Sequence, residues 1–213
     1  ALGESRSVSF YYVVSDDEGA SDSAIVEVFV NGSNDGPSAV DDDASTNENS
    51  PVVIDVLNND TDPDLSDTLT VTSVSTLSPN QGSVTITNGG ADVTFDPGSD
   101  FDDLAVGESR AVSFDYVVTD DNGATATATV DVVVNGTNDA PIAVADSISA
   151  LENSSFQRAV LANDSDPDVG DTLTLIGVNQ PPSGKGVASI QGSNVRFDTG
   201  SDFDSLAVGE TEL

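Results

Sequence analysis

The side chains best suited to chemistry in this chain are carboxylates, and they recur in a fixed pattern. Asp60-Thr-Asp62-Pro-Asp64, followed by Asp67, returns as Asp164-Ser-Asp166-Pro-Asp168, followed by Asp171. In an extended loop, residues i, i+2 and i+4 point to one side, so several carboxylates converge on one point. Left alone they repel, by roughly 1 kcal/mol per pair at 4 Å even in bulk water. A hard divalent cation reverses that sign. Calcium takes about six to eight oxygen ligands at about 2.3–2.6 Å, and these loops supply oxygen ligands only.

Two familiar calcium loops do not fit. The Asp-x-Asp-x-Asp opening is that of an EF-hand, but Leu65 and Val169 stand where its turn glycine belongs. Val71 and Leu175 stand where its bidentate glutamate belongs, and the flanks read as strands. The Gly-Gly-x-Gly-x-Asp nonapeptide of calcium-binding β-rolls is missing too.

Composition narrows the chemistry further. The 213 residues include 38 acidic and 5 basic side chains, a formal net charge of −33, with no Cys and no His. Disulfides, thiolate metal sites, Cys or His nucleophiles and a His general base are excluded. Nucleic acid and anionic membrane surfaces need a basic patch that this chain lacks, so a cation is the natural partner. Paired carboxylates can hydrolyse glycosides. Here the same acids recur in both copies, within loops that suit a cation better, and the chain is read as not an enzyme. So acidic a chain could also be disordered, but the acids gather in short clusters between Val-rich alternating segments that read as strands. No apolar run approaches the roughly 18 residues of a membrane helix.

An internal repeat organises everything else. GESRSVSFYYVVSDDEGASDSAIVEVFVNGSNDGP (3–37) matches GESRAVSFDYVVTDDNGATATATVDVVVNGTNDAP (107–141) at an offset of 104 residues without a gap. NENSPVVIDVLNNDTDPDLSDTLTV (47–71) matches LENSSFQRAVLANDSDPDVGDTLTL (151–175) at the same offset. VTFDPGSDFDDLAVGE (93–108) matches VRFDTGSDFDSLAVGE (195–210) at an offset of 102. A period of about 104 residues is too long for a solenoid and suits a string of β-domains. Residues 1–35 read as the end of one repeat, 36–139 as a complete repeat, and 140–213 as the start of a third.

Within the complete repeat the hydrophobic period is two. Val52, Ile54 and Val56 alternate with other residues, as do Val84 and Ile86, and Val93 and Phe95. Val112, Phe114, Tyr116 and Val118 form one inward face, and Val130, Val132 and Val134 another. Leu69 and Val71, with an entry strand near 39–46, bring the count to about seven antiparallel strands. Pro51, Pro63, Pro79 and Pro97 cut up any long helix. The expected fold is all-β: a string of β-sandwich domains.

These motifs together resemble a family. LNNDTDPDLSDTLTV (57–71) is similar to the calcium loop of cadherin domains. Glu48 in NENS and Glu152 in LENS resemble the glutamate near a cadherin domain's start. Asp100 and Asp102 in SDFD, and Asp202 and Asp204 in the next copy, resemble the acidic pair before the penultimate strand. VTDDNG (118–123) resembles the acidic loop between the last two strands, and NGSNDGP and NGTNDAP resemble the cadherin linker. The resemblance covers essentially the whole chain and implies tandem Ig/cadherin-like β-sandwich domains of about seven strands. It extends to the bacterial cadherin-like (VCBS-type) repeats of large secreted RTX-type adhesins. One departure is that Asn135 and Asn138 stand where a cadherin has aspartates, with the acid, Asp139, displaced by one residue.

The resemblance implies calcium at the linkers. Around Asp139, ligands are expected from Glu48, Asp100 and Asp102 upstream, from Asn138 and Asp139 in the linker, and from Asp166 and Asp168 downstream. Around Asp35 they are expected from Asp62, Asp64 and Asp120. Asp41–Asp43, Asp103 and Asp146 are read as solvated surface. The function implied is a calcium-rigidified, extracellular or cell-surface spacer of a bacterial adhesin or filament, serving adhesion or biofilm cohesion. Its partners are calcium ions and neighbouring repeats. A polysaccharide- or protein-binding module is the alternative of a different class, although three Tyr and no Trp make a poor sugar-stacking platform. A last expectation concerns assembly. Residues 8–14 and 24–30 read as the last two strands of a repeat, and 140–213 reads as a repeat without those strands. Either the chain is a window on a continuous array, or the start of one copy completes another head to tail.

Overall fold

The structure is a computed structural model that describes residues 3–207 and residue 211. The end of the last repeated block, residues 208–210, lies outside the described residues. The chain divides into two compact units, one of Ala1–Phe101 with Ser109–Asn135, the other of Asp102–Glu108 with Gly136–Leu213.

The first unit opens with β1 (Ser5–Ser15) and β2 (Ser21–Asn31), a two-stranded antiparallel hairpin. Seven strands of the complete repeat follow: β3 (Asp42–Asn47), β4 (Val52–Ile54), β5 (Thr70–Val74), β6 (Ser83–Thr87), β7 (Asp92–Asp96), β8 (Ser109–Thr119) and β9 (Thr125–Asn135). They form a four-stranded sheet in the order β3-β9-β8-β5 and a three-stranded sheet in the order β4-β7-β6. This is the expected Ig-like β-sandwich. Among the described residues the only helical turn is a 3-10 turn at Val160–Ala162, and no helix is long and apolar enough to cross a membrane.

The alternating pattern works as its spacing predicts. On β8, Val112, Phe114, Tyr116 and Val118 are buried while their neighbours face outward; on β9, Val130, Val132 and Val134 do the same. Val93, Phe95 and Phe101 meet them from the other side of the core, fully buried, with the Phe95 and Phe101 rings edge to face at 6.4 Å. Arg110 lays its guanidinium over the Phe101 ring, 5.3 Å from the centroid.

One pairing differs from the antiparallel expectation. β3 runs parallel to β9, with Ala44 opposite Val132. β3 leads away from the linker by which the chain enters the repeat, and β9 leads toward the linker by which it leaves, so the two share a direction. A parallel pair needs a long crossover, and here the crossover is nearly the whole repeat, which strand periodicity cannot reveal.

In the second unit, β10 (Ser155–Arg158), β11 (Val187–Gln191) and β12 (Asn194–Asp198) form one antiparallel sheet in the order β10-β12-β11. Phe156 and Phe197 pack at 5.6 Å. Thr199 is buried, and its hydroxyl accepts from the Ser154 N–H and donates to the Ser154 carbonyl, both at 2.8 Å. The linker motif also has a packing role. A Cβ on Gly136 would lie 2.3 Å from the Leu104 carbonyl oxygen and 2.4 Å from that of Ala105, so no other residue fits there without moving backbone.

Phe95→Ala should therefore destabilise the complete repeat by about 3–5 kcal/mol, the usual cost of emptying a fully buried aromatic site, read by urea unfolding. Gly136→Ala should be destabilising even though it adds a single methyl group.

Candidate metal centre

The acidic loop after β4 is fixed by the linker that precedes the repeat. Ser38 and Thr61 exchange backbone hydrogen bonds, Ser38 N–H to Thr61 O at 2.7 Å and Thr61 N–H to Ser38 O at 3.1 Å. The linker next engages two acidic loops. The Asp35 N–H donates to Asp64 Oδ2 at 3.0 Å, and Asn34 Nδ2 donates to Asp120 Oδ2 at 2.8 Å. Asp120 sits in the β8–β9 turn, where its Oδ1 accepts from the N–H groups of Asn122 and Ala124 at 2.9 and 2.8 Å. Asp62 Oδ1 accepts from the Asp64 N–H at 2.8 Å, and Asp67 Oδ2 accepts from Asn122 Nδ2 at 2.8 Å.

Asp62, Asp67 and Asp120 each bring one carboxylate oxygen within 4.8 Å of the others. Here Asp62 Oδ2, and Asn34 Oδ1 on the linker, are buried without a hydrogen-bond partner. Buried polar atoms are seldom left unpaired, and these two are acceptors only in a region dense with negative charge. A cation satisfies both, whereas another acceptor cannot. With oxygen donors and no sulfur or imidazole, the set fits calcium. The Asn34 amide, then the N–H donors of Ala124, Asn122 and Gly123, hold the Asp120 carboxyl below the usual range against a smaller cost of burial. That keeps it ionised and ready as a ligand.

In the second unit, Asp166, Asp168 and Asp171 form the equivalent group, again within 4.8 Å. Asp168 is 2% exposed and its Oδ1 has no hydrogen-bond partner. Its Oδ2 accepts from the Asp139 N–H at 3.0 Å, and the Asp168 N–H donates to Asp166 Oδ1 at 3.1 Å. Asn138 Nδ2 donates to the Asp139 carbonyl at 2.6 Å, and Asp102 Oδ1 is buried without a hydrogen-bond partner.

Several sequence candidates have other work. Asp60 points inward: its Oδ1 accepts from the Val40 N–H at 2.8 Å, and the Tyr116 hydroxyl lies 3.1 Å from each carboxylate oxygen. That hydroxyl is equally close to the carbonyls of Val40 and Val56. Asp164 repeats the first contact, accepting from the Val144 N–H at 2.7 Å. Asp100 Oδ2 accepts from the Gly82 N–H at 2.8 Å, and Asp202 makes the same clamp on Gly186 at 2.9 Å. Glu48 is fully buried on unit one, with its N–H on the Asn135 carbonyl at 2.9 Å; Glu152 is exposed.

The solvated-surface reading needs correction at Asp41 and Asp42, while Asp43 is exposed. Asp42 is half-buried with an unpartnered Oδ2, and Asp41 Oδ1 accepts from the Thr129 N–H at 2.8 Å. Asp146 also has a partner, Arg158, at 3.1 Å. Burial pushes both Asp42 and Asp60 above the usual carboxylate range, only partly offset by hydrogen bonds. Burial and these two carboxylates also push the Tyr116 hydroxyl up. Sequence alone missed Asn34 as a linker anchor; the signal was its recurrence as Asn138 in the second linker.

With this geometry in hand, comparison with known proteins places the chain. The bacterial Ig domain family matches residues 34–133 and again 138–209, so the chain belongs to that family, in tandem copies. Curated proteins yield no match. Similar solved structures include extracellular cadherin domains 1–3 of mouse protocadherin-24, at 21% identity and a TM-score of 0.45, covering 91% of this chain and 66% of that one. Extracellular cadherin domains 1–5 of protocadherin gamma B2 match at 12% identity and a TM-score of 0.42, covering 93% and 46%. A nucleoside hydrolase-related hypothetical protein from Saccharophagus degradans, associated with carbohydrate metabolism, matches at 24% identity and a TM-score of 0.32, covering 48% and 26%. The chain thus spans between 26% and 66% of the length of these structures.

Asp62→Asn and Asp120→Asn should each weaken calcium binding at this linker by about tenfold or more, read by competition with a fluorescent chelator. Asp60→Asn should leave that affinity nearly unchanged. Its effect falls on pH dependence. A carboxyl with a raised folded-state pKa costs stability as pH rises through the range above its unfolded value near 3.9. In chelator, the parent chain should lose more stability than Asp60→Asn between about pH 4 and about pH 7. Asp120, with its lowered pKa, acts in the opposite sense and lends stability that is lost below about pH 4.

Proposed function

We propose that this chain is a non-catalytic spacer segment of an extracellular surface protein, built from bacterial Ig domains whose linkers calcium stiffens. The observation that carries the reading is the linker at Asn34 and Asp35. It is already hydrogen-bonded to both acidic loops, through Asp64 and Asp120, yet it leaves Asn34 Oδ1 and Asp62 Oδ2 buried without partners.

Asp62, Asp67, Asp120 and Asn34 would hold the ion at this linker, and Asp166, Asp168 and Asp171 would hold one at the next. Calcium supplies charge neutralisation and a rigid bridge. The chain's own residues supply the rest: the Ser38–Thr61 exchange and the Asp35–Asp64 bond hold the linker against the loop before any ion arrives. Less order then has to be imposed on binding, and the cost of ordering is what limits affinity. An ion that binds only the ordered form stabilises it by about 2.7 kcal/mol at a hundredfold excess over Kd. Extracellular calcium modules bind at roughly 10⁻⁴–10⁻³ M. Calcium outside a cell would stiffen the array, and the low level inside would leave it pliable for export. The tandem repeats and the resemblance to adhesin repeats favour an extender that projects a binding tip from a bacterial surface.

Small-angle scattering and thermal melts of the chain, in calcium and in chelator, test the proposal. A longer, narrower distance distribution and a higher Tm in calcium are expected. Indistinguishable profiles and melts in the two buffers would remove calcium stiffening from the account.

A further inference from the structure

The β8–β9 turn and the acidic loop before β5 meet in a register that the sheet itself sets. β5 and β8 are antiparallel, with Thr70 opposite Thr119. Continued past the ends of the strands, that register puts Thr68 opposite Asp121 and Asp67 opposite Asn122. Side chains take over there from the backbone ladder. The Thr68 N–H donates to Asp121 Oδ2 at 3.0 Å, and Asn122 Nδ2 donates to Asp67 Oδ2 at 2.8 Å. Asp67 is one of the three carboxylates gathered with Asp62 and Asp120, and Asp120 begins the same turn.

The turn does not need Asn122 for its own closure. In the β1–β2 turn, Asp16 stands in the place of Asp120 and Glu18 in that of Asn122. Asp16 Oδ1 accepts from the N–H groups of Glu18 and Ala20 at 3.1 and 2.7 Å. Asp120 Oδ1 makes the same pair of bonds to Asn122 and Ala124, at 2.9 and 2.8 Å. Gly19 and Gly123 follow with φ of +88° and +92°, so the two turns also leave in the same left-handed way. The turn therefore closes with either side chain at this position, and the amide of Asn122 is directed at Asp67. Its chemistry suits that work. An amide donates a hydrogen bond without bringing a positive charge, so it orients a carboxylate and leaves the negative charge for a cation. Lysine or arginine there would cancel it.

We propose that Asn122 and Asp121 are positioning residues of the cation site at the Asn34–Asp35 linker: they extend the β5–β8 register and hold Asp67 beside Asp62 and Asp120 while the site is still empty of any ion. The proposal rests on the reading of that site as a calcium site. Without the two bonds, Asp67 is free to swing away from two like charges that lie within 4.8 Å of it. With them, the strand pairing of the sandwich resists the repulsion, and less order remains to be imposed when calcium binds. Hydrogen-bond partners that orient a metal ligand in this way contribute about tenfold or more to metal affinity.

Calcium titration followed by amide NMR tests this, because the amides of Asp64, Thr68 and Gly123 report on this site separately from the rest of the chain. Asn122→Ala and Asp121→Ala should each raise the calcium Kd read there by about tenfold. The Tm in chelator should hardly change, since both side chains are exposed. Asp121→Asn, which keeps an acceptor for the Thr68 N–H, should recover most of the affinity that Asp121→Ala loses. In an Asp67→Ala chain, Asn122→Ala should have no further effect. Parent affinity in Asn122→Ala, equal losses in Asp121→Asn and Asp121→Ala, or an undiminished Asn122→Ala effect in the Asp67→Ala chain would each overturn the proposal and leave the calcium site standing. A parent chain in which those three amides do not respond to calcium would instead remove the calcium reading, and the positioning role with it.

Discussion

The structure depends first on the buried inner face of the β8–β9 hairpin. Its alternating Val, Phe and Tyr side chains fill the core from one side, and the backbones of β3 and β5 pair along its two edges. The turn between the strands carries Asp120, the carboxylate to which the preceding linker is tied through Asn34. One element therefore provides core, sheet and site.

Tyr116 couples the core to the acidic surface. A hydroxyl has a single proton, yet this one lies 3.1 Å from both oxygens of Asp60 and from two backbone carbonyls. A crowd of acceptors with one donor is tolerable only if charge is reduced nearby, and burial raises the pKa of Asp60 and Asp42 accordingly. The two kinds of acid in this loop separate on this basis. Asp60 faces inward and is pushed toward its neutral form. Asp62, two residues on, clusters instead with Asp67 and with Asp120, whose pKa is lowered. A single run of aspartates thus serves both the interior and the cluster that Asp62 and Asp67 form with Asp120.

Much of this was legible in the sequence. The period-two pattern located six of the seven strands of the complete repeat and both inward faces of the last hairpin, because alternation directly encodes which side chains share a face; the entry strand near 39–46 was read only to complete the set. The two copies of the acidic loop followed from self-similarity alone. Chain direction was not legible: β3 pairs parallel with β9, and periodicity is the same for either direction. Nor was the division of labour among carboxylates. Asp100 clamps the Gly82 N–H, Asp60 holds Tyr116, and Asp62 faces Asp120; an aspartate in a loop looks the same in all three roles until its hydrogen-bond partners are known. Repetition cannot separate these roles, since the Gly82 clamp recurs at Gly186 as faithfully as the Asp-x-Asp-Pro-Asp loop does.

Calorimetric titration of the chelator-stripped chain with calcium, with magnesium as comparison, tests most directly whether the acidic loops are cation sites. Saturable binding of more than one calcium ion per chain, at a Kd of roughly 10⁻⁴–10⁻³ M and with little response to magnesium, is the predicted result. A titration showing only heats of dilution would contradict it, and the buried oxygens of Asn34, Asp62 and Asp168 would then have to be satisfied by something other than a metal ion.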